Sequence, residues 1–311
     1  MYIIPKIFVD GQEGTTGLQI KEKLLARKDV ELMEIEPELR KDTARRAELL
    51  NAADIVFLCL PDDAAKESAS LVQNPNTVVI DASTAHRTND AWAYGLPELS
   101  PQHSEKIKKS KRIANPGCHA TGFLLAVYPL VANGIIKASE NLCCYSLTGY
   151  SGAGKKMIAQ YQESFKTIKF QSEPVLASKP YSLGLRHKHL PEMQKIAGLE
   201  KPPLFNPIIG PYCQGMATTI SLFPSMLNGI SSFDELRDFL AGYYKSCKYV
   251  GVSPASENPA MIDPTICNET NNAKIFVFGH EEHGQITVVL DNLGKGASGA
   301  AIQNMDGVLL Q

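Results

Sequence analysis

Near the N-terminus, short apolar runs at residues 6–9, 30–35 and 54–60 alternate with segments of helical length at 18–26 and 43–52. A strand that is apolar on both faces is covered on both faces, and helices set between such strands imply parallel pairing. The alternation continues with a helical run at 64–72 and a strand at 77–81, so the N-terminal part reads as a doubly wound α/β domain. Beyond Cys118 the rhythm changes. Runs at 142–148, 217–223, 274–279 and 285–290 are rich in β-branched residues, and His280-Glu-Glu-His-Gly284 between the last two is a hairpin signal. These predict an antiparallel α+β domain. The closing stretch from Gly296 is rich in small residues and helical, which predicts a helix packed closely back on the first domain.

Size and charge agree with two domains and exclude several classes of function. The 311 residues amount to about two domains at ~150 residues each, and 31 Lys and Arg against 33 Asp and Glu leave a net charge of −2. No basic surplus exists to grip nucleic acid or anionic lipid. The five basic residues within 106–112 read as a solvated helix face. Apolar run 123–132 is about half of the roughly 20 residues that a membrane span needs. The first residues have no basic region ahead of an apolar one, so a cytoplasmic protein is expected. Seven cysteines, at 59, 118, 143, 144, 213, 247 and 267, show no C-x-x-C spacing, which argues against a disulfide framework and a zinc ribbon.

Four constellations carry candidate chemistry. Gly11, Gly14 and Gly17 lie between the first strand and the first helix, where backbone N–H groups and the helix dipole hold a pyrophosphate. Their spacing, G-x-x-G-x-x-G, departs from the usual dinucleotide fingerprint, so a plain glycine-rich turn is the alternative. Glu36, Arg40 and Lys41 follow the second strand and leave both a ribose hydroxyl and a 2′-phosphate open. The turn Asn115-Pro-Gly-Cys118 opens an apolar helix, and a cysteine at a helix start is biased toward thiolate. Against that stands the ordinary reading of a buried thiol. His187 and His189 share a face only if their segment is extended, where one would serve as base to Cys118 and the other would meet the substrate; a metal would lack a matching third ligand. Gly149-Tyr-Ser-Gly-Ala-Gly-Lys155-Lys156 nearly matches the phosphate loop but lacks its hydroxyl, so it reads as an anion-binding loop or a tight turn. Two other classes of function remain on these residues: a catalytically silent cofactor-binding regulator and a phosphate-loop ATPase.

Taken in order, Asp10-Gly-Gln-Glu-Gly-Thr-Thr-Gly17, Ile80-Asp-Ala-Ser-Thr-Ala-His-Arg87, Tyr94-Gly-Leu-Pro-Glu98, Asn115-Pro-Gly-Cys118, Gly149 to Lys155, His187-Lys-His189 with Pro191-Glu192, Gln214-Gly-Met216 and Asp291-Asn-Leu-Gly-Lys-Gly-Ala-Ser-Gly299 resemble the short form of the N-acetyl-γ-glutamyl-phosphate reductase family, within the semialdehyde dehydrogenase superfamily. The resemblance runs end to end. It implies a Rossmann-like doubly wound NADP-binding domain over 1–117 and 295–311, and an α+β catalytic and oligomerisation domain over 118–294 like that of glyceraldehyde-3-phosphate dehydrogenase. It implies NADPH-dependent reduction of an acyl phosphate to an aldehyde through a cysteine thioester, in a homo-oligomer, dimer or tetramer, without a metal. Carried over by motif, Cys118 is the nucleophile, and the pair supplies the base, with His187 preferred and His189 placed on the substrate. Gly11, Gly14, Thr15, Thr16, Gly17, Ser83, Asn292 and Lys295 would hold NADP. Arg87, Ser151, Gly152 and Lys155 would contact the substrate. The chain departs from the pattern at His119, where the family often has an aromatic residue, and over 253–272.

Overall fold

The computed structural model describes residues 4–167 and 177–310; the side chains of Lys155, Lys156 and Thr167 also fall outside the described residues. The chain divides into two compact units, Met1–Gly117 with Ala297–Gln311, and Cys118–Gly296.

In the first unit, β1 (Lys6–Asp10), α1 (Thr15–Leu25), β2 (Glu31–Met33), α2 (Thr43–Ala52), β3 (Ile55–Leu58), α3 (Asp62–Leu71), β4 (Val78–Asp81), β5 (Ala93–Tyr94), α4 (Pro101–Lys109) and β6 (Arg112–Ala114) follow one another. The strands form a parallel sheet in the order β2-β1-β3-β4-β6-β5. The reason the strands are apolar throughout is visible in their two faces. Ile7, Val9, Ile55, Phe57, Val78 and Ile80 pack with Ile20 and Leu24 of α1 and with Ala301 and Met305 of the C-terminal helix Gly299–Leu309. Phe8, Val56, Leu58 and Val79 point the other way, onto Leu49 and Leu50 of α2. Alternation along a strand thus serves two cores instead of one core and water. The glycine-rich closing stretch does return to this unit: Gly95 leaves no room for a Cβ, which would lie 2.4 Å from Nδ2 of Asn304.

The second unit begins with α5 (Cys118–Ala132) and continues through β7 (Cys143–Gly149), α6 (Lys155–Thr167), β8 (Lys179–Pro180), α7 (Leu190–Ala197), β9 (Leu204–Gly210), β10 (Met216–Leu222), α8 (Phe233–Tyr244), β11 (Val250–Val252), β12 (Ala273–Gly279) and β13 (Gly284–Leu290). The sheet order is β11-β12-β13-β10-β7-β9-β8. It is mixed, not wholly antiparallel as the sequence suggested. The pairs β7–β9 and β11–β12 are parallel, each joined by a crossover long enough to return the chain in the same direction. The expected hairpin is present: Gly279 pairs with Gly284, and the N–H of His280 donates to the carbonyl of His283 at 2.9 Å.

The apolar run 123–132 is the body of α5, which is buried over most of its circumference and is not a membrane element. Among the described residues no helix is long and apolar enough to cross a membrane. At Gly122 the helix touches the sheet: a Cβ there would lie 2.6 Å from Oγ1 and 2.8 Å from Cβ of Thr218 on β10. Overpacking such a contact costs about 1–3 kcal/mol. Gly122→Ala is therefore expected to lower the melting temperature by roughly 2–12 °C, at about 2–4 °C per kcal/mol for a domain of this size; an unchanged melting curve would show that α5 and β10 separate at no cost.

Candidate active site

In the first unit the loop after β1 is shaped by its glycines. Gly11 has φ +89°, and a Cβ on it would lie 2.4 Å from the carbonyl oxygen of Cys59. A Cβ on Gly17 would lie 2.4 Å from the carbonyl oxygen of Gly11, so this glycine lets α1 sit tightly on the loop. Gly14 is different, because nothing comes nearer to its added Cβ than 3.5 Å. It caps α1 in an extended conformation with no side-chain hydrogen bond, which leaves the first-turn amides, with Thr15 and Thr16, to meet a ligand. A glycine turn with uncapped amides at a helix start fits a pyrophosphate.

Charged residues brace the loop. Asp10, at the end of β1, accepts from Arg46 Nη2 at 2.9 Å and Ser68 Oγ at 2.5 Å. Arg45 forks onto both oxygens of Glu36 at 3.0 Å and holds that carboxyl below the usual carboxylate range. Arg40 pairs with Glu13 of the glycine loop at 2.9 Å. Beyond β4, the buried Asp81 accepts from Ser83 N at 2.9 Å and Ser83 Oγ at 2.7 Å, and faces His86 Nδ1 at 2.7 Å. His86 in turn stacks on Trp92. Arg87 is buried, with Nε on the carbonyl of Asn115 at 2.9 Å and Nη2 on that of Ala82 at 3.1 Å.

In the second unit, Cys118 is the first residue of α5, because Pro116 and Gly117 precede the helix and its apolar run follows. A loop at 291–296 closes on it so tightly that a Cβ at Gly296 would lie 2.7 Å from the Cβ of Cys118. Asp291 holds that loop, accepting from Leu293 N at 2.8 Å, Glu269 N at 2.8 Å and Gln214 Nε2 at 2.5 Å. Asn292 accepts the N–H of Gly215 at 2.8 Å and donates to Ser151 Oγ at 2.9 Å. Lys295 is fully buried, its ammonium 5.8 Å from the ring centre of Tyr249.

A cavity of about 340 Å³ contains Cys118, His187, His189 and Gly152 in its lining, together with His119, Tyr181, Thr148 and Ile209. The segment is not extended as expected but turns into α7, with the N–H of Leu190 donating to the carbonyl of His187 at 3.0 Å and His189 in the right-handed helical region, and this turn still brings the rings of His187 and His189 edge to face at 4.7 Å. The N–H of His189 donates to Nδ1 of His187 at 3.2 Å, so the neutral His187 ring carries its proton on Nε2. His189 is buried, with Glu192 Oε1 at 3.9 Å from its Nε2. His119 is buried as well, and loss of hydration, aided by the charge of Lys188 and by that of His187 when protonated, pushes its pKa down to about 3. Burial and the charge of Cys118 push the Tyr181 hydroxyl up. By contrast, burial pushes the Cys59 thiol up to about 12, as expected of an inert cysteine.

The sequence thus named Cys118, His187, His189 and Gly152, which share one cavity, and Ser151 and Asn292, which share a hydrogen bond. It did not single out Tyr181, Glu192 or Asp291; His119 stood out only as a departure from the family pattern. The side chain of Lys155 lies outside the described residues. A larger cleft of about 590 Å³ at the β12–β13 turn has His280 and His283 in its lining, and these form with Glu282 an exposed group whose donor atoms lie within 4.8 Å. His280 Nδ1 there accepts the N–H of Glu282 at 3.3 Å, which leaves the proton on Nε2, the nitrogen a metal would need.

Residues 10–107 match the family described as semialdehyde dehydrogenase, NAD binding domain, and residues 118–292 match semialdehyde dehydrogenase, dimerisation domain. The chain is 45% identical over 308 residues to an N-acetyl-gamma-glutamyl-phosphate reductase of Mesorhizobium japonicum, covering 97% of this chain and 98% of the relative. It is 43% identical over 310 residues to N-acetyl-gamma-glutamyl-phosphate reductase 2 of Pseudomonas putida, covering 97% and 96%. Among solved structures, aspartate semialdehyde dehydrogenase II from Vibrio cholerae shares the fold, with a TM-score of 0.73, 16% identity and 99% of each chain covered. The aspartate semialdehyde dehydrogenase of Candida albicans, solved with NADP, has a TM-score of 0.67 at 17% identity and 99% coverage of each chain. With a nicotinamide-binding domain, a dimerisation domain and full-length relatives of one name, the chain belongs to the N-acetyl-γ-glutamyl-phosphate reductase family of the semialdehyde dehydrogenases.

Proposed function

We propose that the chain reduces N-acetyl-γ-glutamyl phosphate to N-acetylglutamate 5-semialdehyde with NADPH, releasing phosphate, as a step of arginine biosynthesis in the cytoplasm. The observation that carries this reading is Cys118 at the first residue of a buried helix, in one cavity with His187 and His189. The helix dipole favours the thiolate there. The Cys118 thiolate attacks the acyl carbon, phosphate leaves with the C–O electron pair, and a thioester remains on sulfur. A nicotinamide held by the first unit would supply the hydride that reduces this thioester. The resulting alkoxide collapses, the C–S bond breaks, and Cys118 regains its negative charge as the aldehyde departs. His187, expected to be the base to Cys118, has Nδ1 engaged by the His189 N–H, so in this reading it donates from Nε2 toward the negative charge during these steps, and His189, braced by Glu192, orients the substrate. Ser151, Gly152, Lys155 and Arg87 contact its anionic groups.

In the same reading, residues 1–117 with 295–311 form the NADP-binding domain and residues 118–294 carry catalysis and homo-oligomer contacts, with NADP held by Gly11, Gly14, Thr15, Thr16, Gly17, Ser83 and Lys295 and by Asn292 from the second stretch. Support for NADP over NAD comes from Arg40 beside the glycine loop and from Arg45 engaging Glu36, the carboxylate that would otherwise repel a 2′-phosphate.

Phosphate-dependent reduction of NADP by N-acetylglutamate semialdehyde, the reverse reaction, tests the assignment directly. Cys118→Ser is expected to keep fold and cofactor binding and to lose turnover, while Cys143→Ala, on an exposed strand position, keeps its rate; a near-normal rate in the serine variant rejects the mechanism. The histidines separate by their effect on the protein without substrate. His187→Asn is expected to slow both alkylation of Cys118 and turnover, the latter by ~10²-fold or more. His189→Asn should leave alkylation intact and raise KM; the opposite pattern reverses the two roles. Arg40→Ala is expected to raise KM for NADPH by about tenfold, equivalent to ~1.4 kcal/mol, without changing that for NADH. Equal effects on both cofactors would remove Arg40 from the 2′-phosphate.

A further inference from the structure

His119 follows Cys118 directly and takes no part in the steps above, yet it is among the most constrained polar groups of the cavity wall. It is 2% exposed. Its Nδ1 lies 2.7 Å from Ser146 Oγ, which lies 2.8 Å from Thr218 Oγ1; its Nε2 lies 2.8 Å from the hydroxyl of Tyr181. Ser146 and Thr218 are wholly buried on adjacent strands β7 and β10. Four polar side chains therefore form one unbranched chain that runs from the sheet to the cavity and ends on a tyrosine beside the nucleophile.

Such a chain has a direction. A neutral imidazole offers one N–H and one lone pair, so one neighbour of His119 must donate and the other accept. With low pKa, the ring is neutral at any working pH. If Nδ1 carried the proton, Tyr181 would spend its own proton on Nε2 and present only lone pairs to the cavity. If Nε2 carries it, Thr218 donates to Ser146, Ser146 donates to Nδ1, Nε2–H donates to the phenol oxygen, and the Tyr181 proton faces the cavity. Negative charge on Cys118 selects the second arrangement, since it attracts the phenol proton and repels lone pairs.

We propose that Tyr181 is a further catalytic residue, donating a hydrogen bond to the negative charge carried on the Cys118 side chain, and that His119 is its positioning residue, a neutral relay that turns the phenol proton outward. The donor meets the thiolate first and the oxyanions of its adducts afterwards; no proton leaves the chain. The proposal rests on Cys118 as the nucleophile of the proposed function.

Two measurements on Tyr181→Phe, His119→Phe and the double variant test it: the alkylation rate of Cys118 by iodoacetamide, read on the Cys118 peptide, and kcat with KM in the reverse reaction. Tyr181→Phe is expected to slow alkylation at neutral pH about three- to tenfold, and to lower kcat by at least about tenfold, with KM within about twofold. His119→Phe should do the same, and the double variant should lose no more than Tyr181→Phe alone, because both changes remove one hydrogen bond. His119→Gln, whose amide N–H stands near the place of Nε2–H, should restore most of both rates, whereas His119→Asn, which reaches only toward Ser146, should not. This Gln and Asn pair decides the matter if His119→Phe fails to fold. Wild-type alkylation in Tyr181→Phe, or losses that multiply in the double variant, would overturn the relay. Alkylation needs no turnover, so the expected alkylation pattern in a wild type without reductase activity supports the relay and rejects the proposed function. An active wild type with multiplying losses rejects the relay alone.

Discussion

The buried carboxylate of Asp291 is the constraint on which the second unit's site depends. It is 1% exposed and accepts two backbone amides and a side-chain amide from three separate stretches of chain. Hydrogen bonds to a charged group contribute about 1.5–3 kcal/mol each, and a buried carboxylate stripped of them is more costly than their sum suggests. Its neighbour Asn292 ties the glycine loop at Ser151 to the turn at Gly215. Gly296 then meets Cys118 with no space for even a methyl group. Cys118, the loop at Ser151 and the turn at 213–215 are thus positioned by one short segment at the end of β13.

Electrostatics around Cys118 follow from burial as much as from charge. The dipole of an exposed helix is screened by water within its first turn, whereas α5 is embedded in apolar side chains from His119 to Leu130. The same low dielectric keeps His119 neutral beside two potential cations and keeps the Tyr181 phenol protonated. In the proposed reaction, negative charge on the Cys118 sulfur therefore meets groups whose protons are not lost.

Legibility in the sequence followed the range of the interactions. Strands β1, β3 and β4 were readable because both faces are buried, which removes polar residues from the run itself. The glycine turn before α1 and the helix start at Cys118 were readable because residue type and local order mark them. β5, of two residues, is too short to show any period, and the parallel pairing of β7 with β9 leaves no mark on either strand alone. The work of Asp291 and His119 was hidden for a different reason. Each acts through partners 22 to 77 and 27 to 62 positions away, and no local pattern encodes such a contact.

Family motifs also mix residues that touch ligands with residues that hold the backbone, and only the hydrogen bonds separate them. In Asp81-Ala-Ser-Thr-Ala-His-Arg87, the aspartate gathers Ser83 and His86 into a closed knot after β4. Arg87 spends Nε and Nη2 on backbone carbonyls, one of them that of Asn115, three residues before Cys118 in the chain. A guanidinium fixed in this way loses little further freedom when an anion arrives, which is where preorganisation gains affinity. Its anchoring carbonyl belongs to the Asn115-Pro-Gly turn, so the residue proposed to meet substrate also holds the backbone of that turn.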